Sequence, residues 1–429
     1  MGHLVGKDFI YQKLGEKING LSMKAPYNKE LFEVLKTLYS PEEAELIIKM
    51  PYCLSDFTRL KNTTKINADD LKQLLYSASS KGLVMDLWLQ GKYYYMPSPL
   101  IIGIFEFTMM RMKGNTESKK YAELFHNYLF SSNDFWQANC AKDIKIPPMR
   151  TLPYEESIDQ KNHIEVLSYE KARDIIKSNQ VFSISTCSCR HEKMHLGEKQ
   201  CNYPLDTCSS FGMIAQMLID HKFAVKVSKR EMLDNLERSK ELGLVLNADN
   251  IKNKVNFICH CCKCCCTVFE GMRRFREHSI LKTSNFLAKV NIDACVGCGQ
   301  CSISCPINAI TVKNHKAHID KKICLGCGVC ASRCRFNAVK LIKRTQQVLY
   351  PETTFERIVL QSLERGTLQN QIFDNMQSLS HQFMRGFLGA FLKLNPVKQA
   401  LLGDSFRSVF LASAKSWYKM TGRHWMTKI

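Results

Sequence analysis

Twenty of the 429 residues are cysteines, and they are clustered rather than spread along the chain. Cys295, Cys298, Cys301 and Cys305 follow the spacing C-x2-C-x2-C-x3-C, with Pro306 next. Cys324, Cys327, Cys330 and Cys334 repeat the spacing 29 residues later. The flanks repeat as well: Val296-Gly297-Cys298-Gly299-Gln300-Cys301 stands against Leu325-Gly326-Cys327-Gly328-Val329-Cys330. Upstream, Cys187, Cys189, Cys201 and Cys208 read C-x-C-x11-C-x6-C. Cys259, Cys261, Cys262, Cys264, Cys265 and Cys266 lie within eight residues. Thiolates at this density hold soft metals or pair as disulfides. Residues 1–20 are polar and lack the apolar core of a secretory signal. The expectation is a reducing cytoplasmic setting, where clustered thiols bind metal.

The paired runs at 295–334 resemble the bacterial-type ferredoxin domain with two [4Fe-4S] clusters, over about 285–342. A cubane needs four thiolates at four irons. Three cysteines on one tight loop reach three corners, and in this pattern the last cysteine of each run serves the other cluster. The resemblance therefore implies Cys295, Cys298, Cys301 and Cys334 as one ligand set. Cys324, Cys327, Cys330 and Cys305 form the other. The alternatives are zinc, which would take separate four-ligand sets without interleaving, and disulfides. Arg335 departs from the pattern, which has proline there.

The ten central thiols suffice for two further four-thiolate sites with two to spare, so one or two additional iron–sulfur clusters are expected. Their partition is open, because neighbouring side chains on extended backbone point to opposite faces. Structural zinc is the alternative, as is a redox-active dithiol. Arg190, His191, His195 and Lys263 stand near in sequence and could favour thiolates. His260 reads as a ligand or as a donor to one. Cys140 reads as a small buried apolar residue.

These cysteines need elements to carry them. Val181–Thr186 alternates as a strand into Cys187, Ser209–Asp220 reads as a helix, and Val255–Ile258 reads as a strand into the cysteine run. Ser228 with Glu231 forms a capping box for a helix that stops before Gly243. Residues 161–280 thus read as a cysteine-rich α/β domain, and 111–160 as a helical linker. Leu31, Leu35 and Leu38 recur at helical spacing, Ser40-Pro41 starts a helix, and residues 83–96 alternate about Gln90-Gly91 as a hairpin. This order at 28–110 resembles a winged-helix domain and assigns 1–110 to a winged-helix-like unit. The resemblance implies DNA binding, but 28–106 carries a net charge of −1 and opens its third helix with Asp69 and Asp70. Phosphate binding needs clustered cations, so nucleic acid is disfavoured as a partner.

The whole chain carries +20, and 8 Lys/Arg against 1 Asp/Glu lie in 381–429. There Phe383, Phe387 and Phe391 recur with Met384, Leu388 and Leu392. Leu402, Phe406, Val409, Phe410 and Trp417 form a second stripe beyond Pro396. Residues 343–429 read as a basic amphipathic helical tail. It suits an anionic membrane surface or an acidic partner, or else it is an ordinary packing face.

The fold class expected is multidomain α/β and α+β: a winged-helix-like domain, a cysteine-rich α/β domain, a ferredoxin-like dicluster domain and C-terminal amphipathic helices. The function expected is anaerobic iron–sulfur electron transport between redox partner proteins, in the cytoplasm or peripheral to the inner membrane face. Two alternatives stand beside it. One is an oxidoreductase whose catalytic centre is the central cysteine site; the other is a redox-sensing winged-helix regulator. No G-x-G-x-x-G follows a strand, so nothing signals flavin or nicotinamide.

Overall fold

The computed structural model describes residues 2–114, 116–140, 144–159, 166–276, 279–345, 348 and 350–429. The domain boundary expected at 160–161 lies outside these residues. The chain divides into two compact units. One comprises residues 1–145 and 353–429; the other is 146–352.

In the first unit, helices span Gly2–Asn19, Lys29–Leu38 and Pro41–Lys49. Asn28 caps the second, and Ser40 with Glu43 forms a reciprocal capping box at the third. Leu31, Val34, Leu35 and Leu38 bury one face of Lys29–Leu38. Strand β1 (Ser55–Asp56) precedes the helices Phe57–Thr64 and Ala68–Ser80. The hairpin of β2 (Val84–Leu89) and β3 (Lys92–Pro97) follows. Gln90 and Gly91 both have positive φ, which matches the twist of a two-residue hairpin turn. β3 lies between β1 and β2 in an antiparallel sheet. Phe130, Phe135 and Trp136 pack edge and face on one another, and Cys140 is buried.

Residues 353–429 belong to this same unit. The helix Thr354–Glu364 buries Phe355, Val359, Leu360 and Leu363. Beyond Leu368–Ile372, helices span Leu379–Leu392, Asn395–Leu402 and Asp404–Met420. Pro396 therefore opens a third helix where a break alone was expected, because proline fits a first turn that lacks N–H acceptors. The face carrying Phe383, Phe387 and Phe391 is exposed, whereas Leu392 and Tyr418 are buried. No helix among the described residues is long and apolar enough to cross a membrane.

The second unit is built on a seven-stranded sheet. Its strands are β4 (Met149–Thr151), β5 (Phe182–Thr186), β6 (Asp206–Phe211), β7 (Ala224–Lys226), β8 (Val245–Asp249), β9 (Phe257–Cys261) and β10 (Leu281–Lys282), in the order β10-β4-β8-β9-β6-β5-β7. Only β10 and β4 run parallel. Ser209–Phe211 was expected to start a helix. Its backbone instead pairs with β9, Ser209 opposite Ile258 and Ser210 opposite Phe257, so the helix begins at Gly212. After the sheet, β11 (Phe286–Val290) pairs with β14 (Val339–Lys343), and β12 (Ile310–Lys313) with β13 (Lys316–Ile319). Short helices Gln300–Ser304 and Val329–Ser332 follow the first cysteines of each run.

Candidate metal centres

The two repeated runs form two separate cavities. Cys295, Cys298, Cys301 and Cys334 line one; Cys305, Cys324, Cys327 and Cys330 line the other. Each cavity therefore takes three cysteines from one run and the last from the other. The loops can wrap this tightly because of their glycines. Gly297 and Gly326 have φ of 70° and 71°. A Cβ on Gly326 would stand 2.1 Å from the Phe286 carbonyl oxygen, and one on Gly297 would stand 2.4 Å from that of His315. The Ala309 N–H donates to Cys305 Sγ at 3.1 Å, and the Ala317 N–H to Cys295 Sγ at 3.5 Å. Such donors stabilise charge on sulfur. The cavities differ in shielding: Cys298 is exposed, while all four cysteines of the second set are buried. Burial pushes the Cys327 thiol up to about 12, so a thiolate there needs a compensating cation such as a metal.

The ten central thiols separate into six and four. The sheet sets the six. In antiparallel order, the carboxyl ends of β5 and β9 and the start of β6 share one edge. That edge brings Cys187, Cys208, Cys259 and Cys261 together. Cys189 comes from the first turn of the helix Ser188–His195, and Cys266 caps the helix Thr267–Phe275. Their side chains neighbour one another closely enough to interact in a closed circuit: Cys187 with Cys189 and Cys208, Cys208 with Cys259, Cys259 with Cys261, Cys261 with Cys266, and Cys266 with Cys189.

The other four are Cys201, Cys262, Cys264 and Cys265, whose sulfurs all lie within 4.8 Å of one another. A turn after β9, closed by the Cys266 N–H to the Cys262 carbonyl at 3.3 Å, supplies three of them. Cys201 arrives from the segment between Leu196 and β6 and packs with Leu244, Cys262 and Cys265.

Arg190 joins the two sets. It is fully buried, donates to the His260 carbonyl at 2.9 Å and to Thr207 Oγ1, and lies close enough to Cys187, Cys208 and Cys262 to be held in its charged form by them. Its neighbourhood to the thiols was readable in sequence; its position between two sets was not, because the partition itself was not. His260 lies on the same strand as Cys259 and Cys261 of the circuit. It alternates with Cys259 and Cys261 to the opposite sheet face, where Nε2 meets Ser209 Oγ at 2.9 Å. Burial lowers its pKa to about 3, so it stays neutral. His191 and His195 meet through their Nε2 atoms at 2.9 Å.

Beside the four-thiol set lies an open cavity of about 1040 Å³. Lys193, Lys199, Lys263, Arg273 and Arg333 line it, with Glu198 and Glu270. Several of these cations are committed. Lys193 pairs with Glu198 at 2.6 Å and Glu270 at 3.0 Å. Lys263 donates to the Ile303 carbonyl at 3.0 Å, and Arg273 to that of Pro306 at 2.6 Å. Both bonds tie the cysteine-rich sheet to the loop that carries Cys305.

No curated protein and no solved structure matches the chain. The family model described as 4Fe-4S dicluster domain matches residues 294–338, about a tenth of the length. Eight cysteines of suitable spacing, two cavities and N–H donors aimed at sulfur fit that group. Residues 294–338 are a 4Fe-4S dicluster domain.

Proposed function

We propose that the protein passes electrons between redox partner proteins through two [4Fe-4S] clusters and a further metal centre in the sheet domain. The observation that carries this reading is the pair of cavities, each lined by three cysteines of one run and one of the other. In this reading Cys295, Cys298, Cys301 and Cys334 hold one cluster, and Cys305, Cys324, Cys327 and Cys330 hold the second. The exposure of Cys298 supports a first cluster next to solvent, within reach of a docking partner. The second faces inward: Lys263, two residues or fewer from Cys262 and Cys264, interacts with the charge of Cys305. The circuit of six thiols suits a polynuclear cluster. Its members neighbour one another around the ring, and no three of them are gathered within 4.8 Å as the other four thiols are. Anaerobic counting of iron and acid-labile sulfide, with electron paramagnetic resonance, tests this. About eight of each supports the dicluster alone; substantially more of both supports a cluster on the six-thiol circuit. Absence of sulfide overturns the reading.

The 1040 Å³ cavity favours a second reading, an oxidoreductase that takes an anionic substrate among its lysines and arginines. Turnover-linked oxidation of the reduced clusters by a panel of small anions separates the two.

The exposed Phe383, Phe387 and Phe391 and the basic charge around them support docking of this face on an anionic membrane. Phe383→Ser with Phe387→Ser should abolish binding to phosphatidylserine vesicles at unchanged metal content. Unaltered vesicle binding would leave the face without that role. The winged-helix resemblance over 28–110 rests on its order of helices and hairpin alone. Its charge disfavours DNA, and a gel shift with oxidised and reduced protein tests this.

A further inference from the structure

The four-thiol set differs from the dicluster cavities in scale, and scale distinguishes one metal ion from a cluster. Four sulfurs bound tetrahedrally to one ion at about 2.3 Å stand about 3.8 Å apart. In this structure Cys201 and Cys265 are 3.7 Å apart, Cys201 and Cys262 4.0 Å, Cys262 and Cys264 3.7 Å, and Cys264 and Cys265 3.4 Å. A cubane interposes iron and sulfide between its ligands, so its thiolates stand farther apart. The dicluster domain supplies the internal comparison. Among the described residues, Cys201, Cys262, Cys264 and Cys265 are the one group of three or more histidine, cysteine or acidic donors gathered within 4.8 Å. Neither cubane-type quartet is gathered so closely.

We propose that Cys201, Cys262, Cys264 and Cys265 bind a single tetrahedral metal ion, zinc or iron, distinct from any cluster on the six-thiol circuit. This refines the sheet-domain centre of the functional reading and rests on that reading only for the neighbouring clusters. The set is chemically complete for one ion, since four thiolates close the coordination sphere and leave no open position for substrate. The Arg190 guanidinium beside Cys262 offsets the negative charge that four thiolates leave on a divalent ion. The site pins the stretch from Gly197 to Leu205, which has no helix or strand of its own, onto the turn after β9. With zinc the site is a staple. With iron it is a one-electron relay beside the Lys263 contact to the Cys305 cluster.

The test compares the full chain with its Cys264→Ser, Cys265→Ser double variant, both purified anaerobically, by elemental analysis and acid-labile sulfide. The expected result is loss of one metal ion per chain, with sulfide and the cubane resonance signals unchanged. Loss of a zinc identifies the staple; loss of one iron without sulfide identifies the relay. Loss of about four irons with four sulfides, or no change in metal, overturns the proposal. Unchanged sulfide with absent cubane signals would instead strike the dicluster reading, so the two failures are distinguishable. X-ray absorption of the wild-type protein serves if the variant does not fold. A shell of four sulfurs at about 2.3 Å without a metal–metal distance at the zinc edge, or one iron in excess of sulfide by analysis, is expected. Absence of both overturns it.

Discussion

The dicluster domain and the cysteine-rich sheet gather the same side chain but by opposite routes. In the dicluster domain, three of every four cysteines sit on one loop, and the fourth comes from its repeat. In the sheet domain, the circuit draws on two helix caps, a first turn and three strand positions, and Cys201 meets Cys262 across 61 residues. Local assembly depends on backbone permission at a few glycines. Distant assembly depends on strand register and on a buried counter-charge. The two regions should therefore break in different ways.

The largest effects belong to ligand loss. Cys327→Ala and Cys298→Ala should each remove one of two cubane signals, since metal binding in structural sites is worth on the order of 10 kcal/mol. The exposed Cys298 leaves a solvated gap, whereas the buried Cys327 leaves an apolar-walled cavity. The Cys327 variant should melt lower by a further ~2 kcal/mol, roughly 4–8 °C. Retention of both cubane signals in either variant would refute the ligand sets, and equal melting temperatures would refute the difference in shielding.

Next is the counter-charge of the sheet domain. Arg190→Met removes a buried cation and should destabilise the second unit by about 4 kcal/mol, the range for breaking a buried charged contact. Central metal should also leave to a chelator at least tenfold faster, while the dicluster signals persist. If release rates stay equal, Arg190 does not couple to the thiols.

Smaller still are the glycine effects. Gly326→Ala should destabilise by about 3 kcal/mol, because strain at positive φ adds to a collision with Phe286. Gly299→Ala has φ of 80° but open space around its Cβ, and should show strain alone, about 1 kcal/mol. Equal denaturation midpoints for the pair would mean that contact adds nothing to strain.

The smallest effect is at Arg335, an exposed residue next to Cys334. Reduction adds negative charge to a cluster, so a nearby guanidinium raises its potential. Arg335→Pro should lower the potential of the Cys334 cluster by a few tens of millivolts after solvent screening, where about 59 mV is tenfold. A redox titration showing the shift on the other cluster would contradict the interleaved ligation.

The sequence made the dicluster segment legible because its chemistry is periodic: eight cysteines and four glycines recur at fixed offsets, and the family match covers 294–338. The hairpin about Gln90-Gly91 and the capping box of Ser228 and Glu231 were legible for the same local reason. The split of ten central thiols into six and four was not. It depends on β6 pairing with β9, and Ser209–Phe211, apolar only at its end, carries no local mark of that ladder. Nor could local pattern reveal the buried Asp374, which accepts from Arg59 at 2.7 Å and Arg423 at 3.1 Å and meets Cys53 at 2.7 Å. Arg423 lies 49 residues from it and Arg59 and Cys53 more than 300, and charge pairing carries no periodicity.

The discontinuity of the first unit has a consequence for biosynthesis. Residues 146–352 leave the ribosome before the 77 residues of 353–429 that complete the first unit. At about 5–20 residues per second, translation of 353–429 gives the inner unit roughly 4–15 s in which to fold and acquire metal. Residues 1–145, made before the inner unit, wait for their partner helices until 353–429 follow. A chain stopped after Glu352 should accordingly keep its cubane signals while residues 1–145 are digested by protease. Survival of 1–145 with loss of the clusters would reverse this order of assembly.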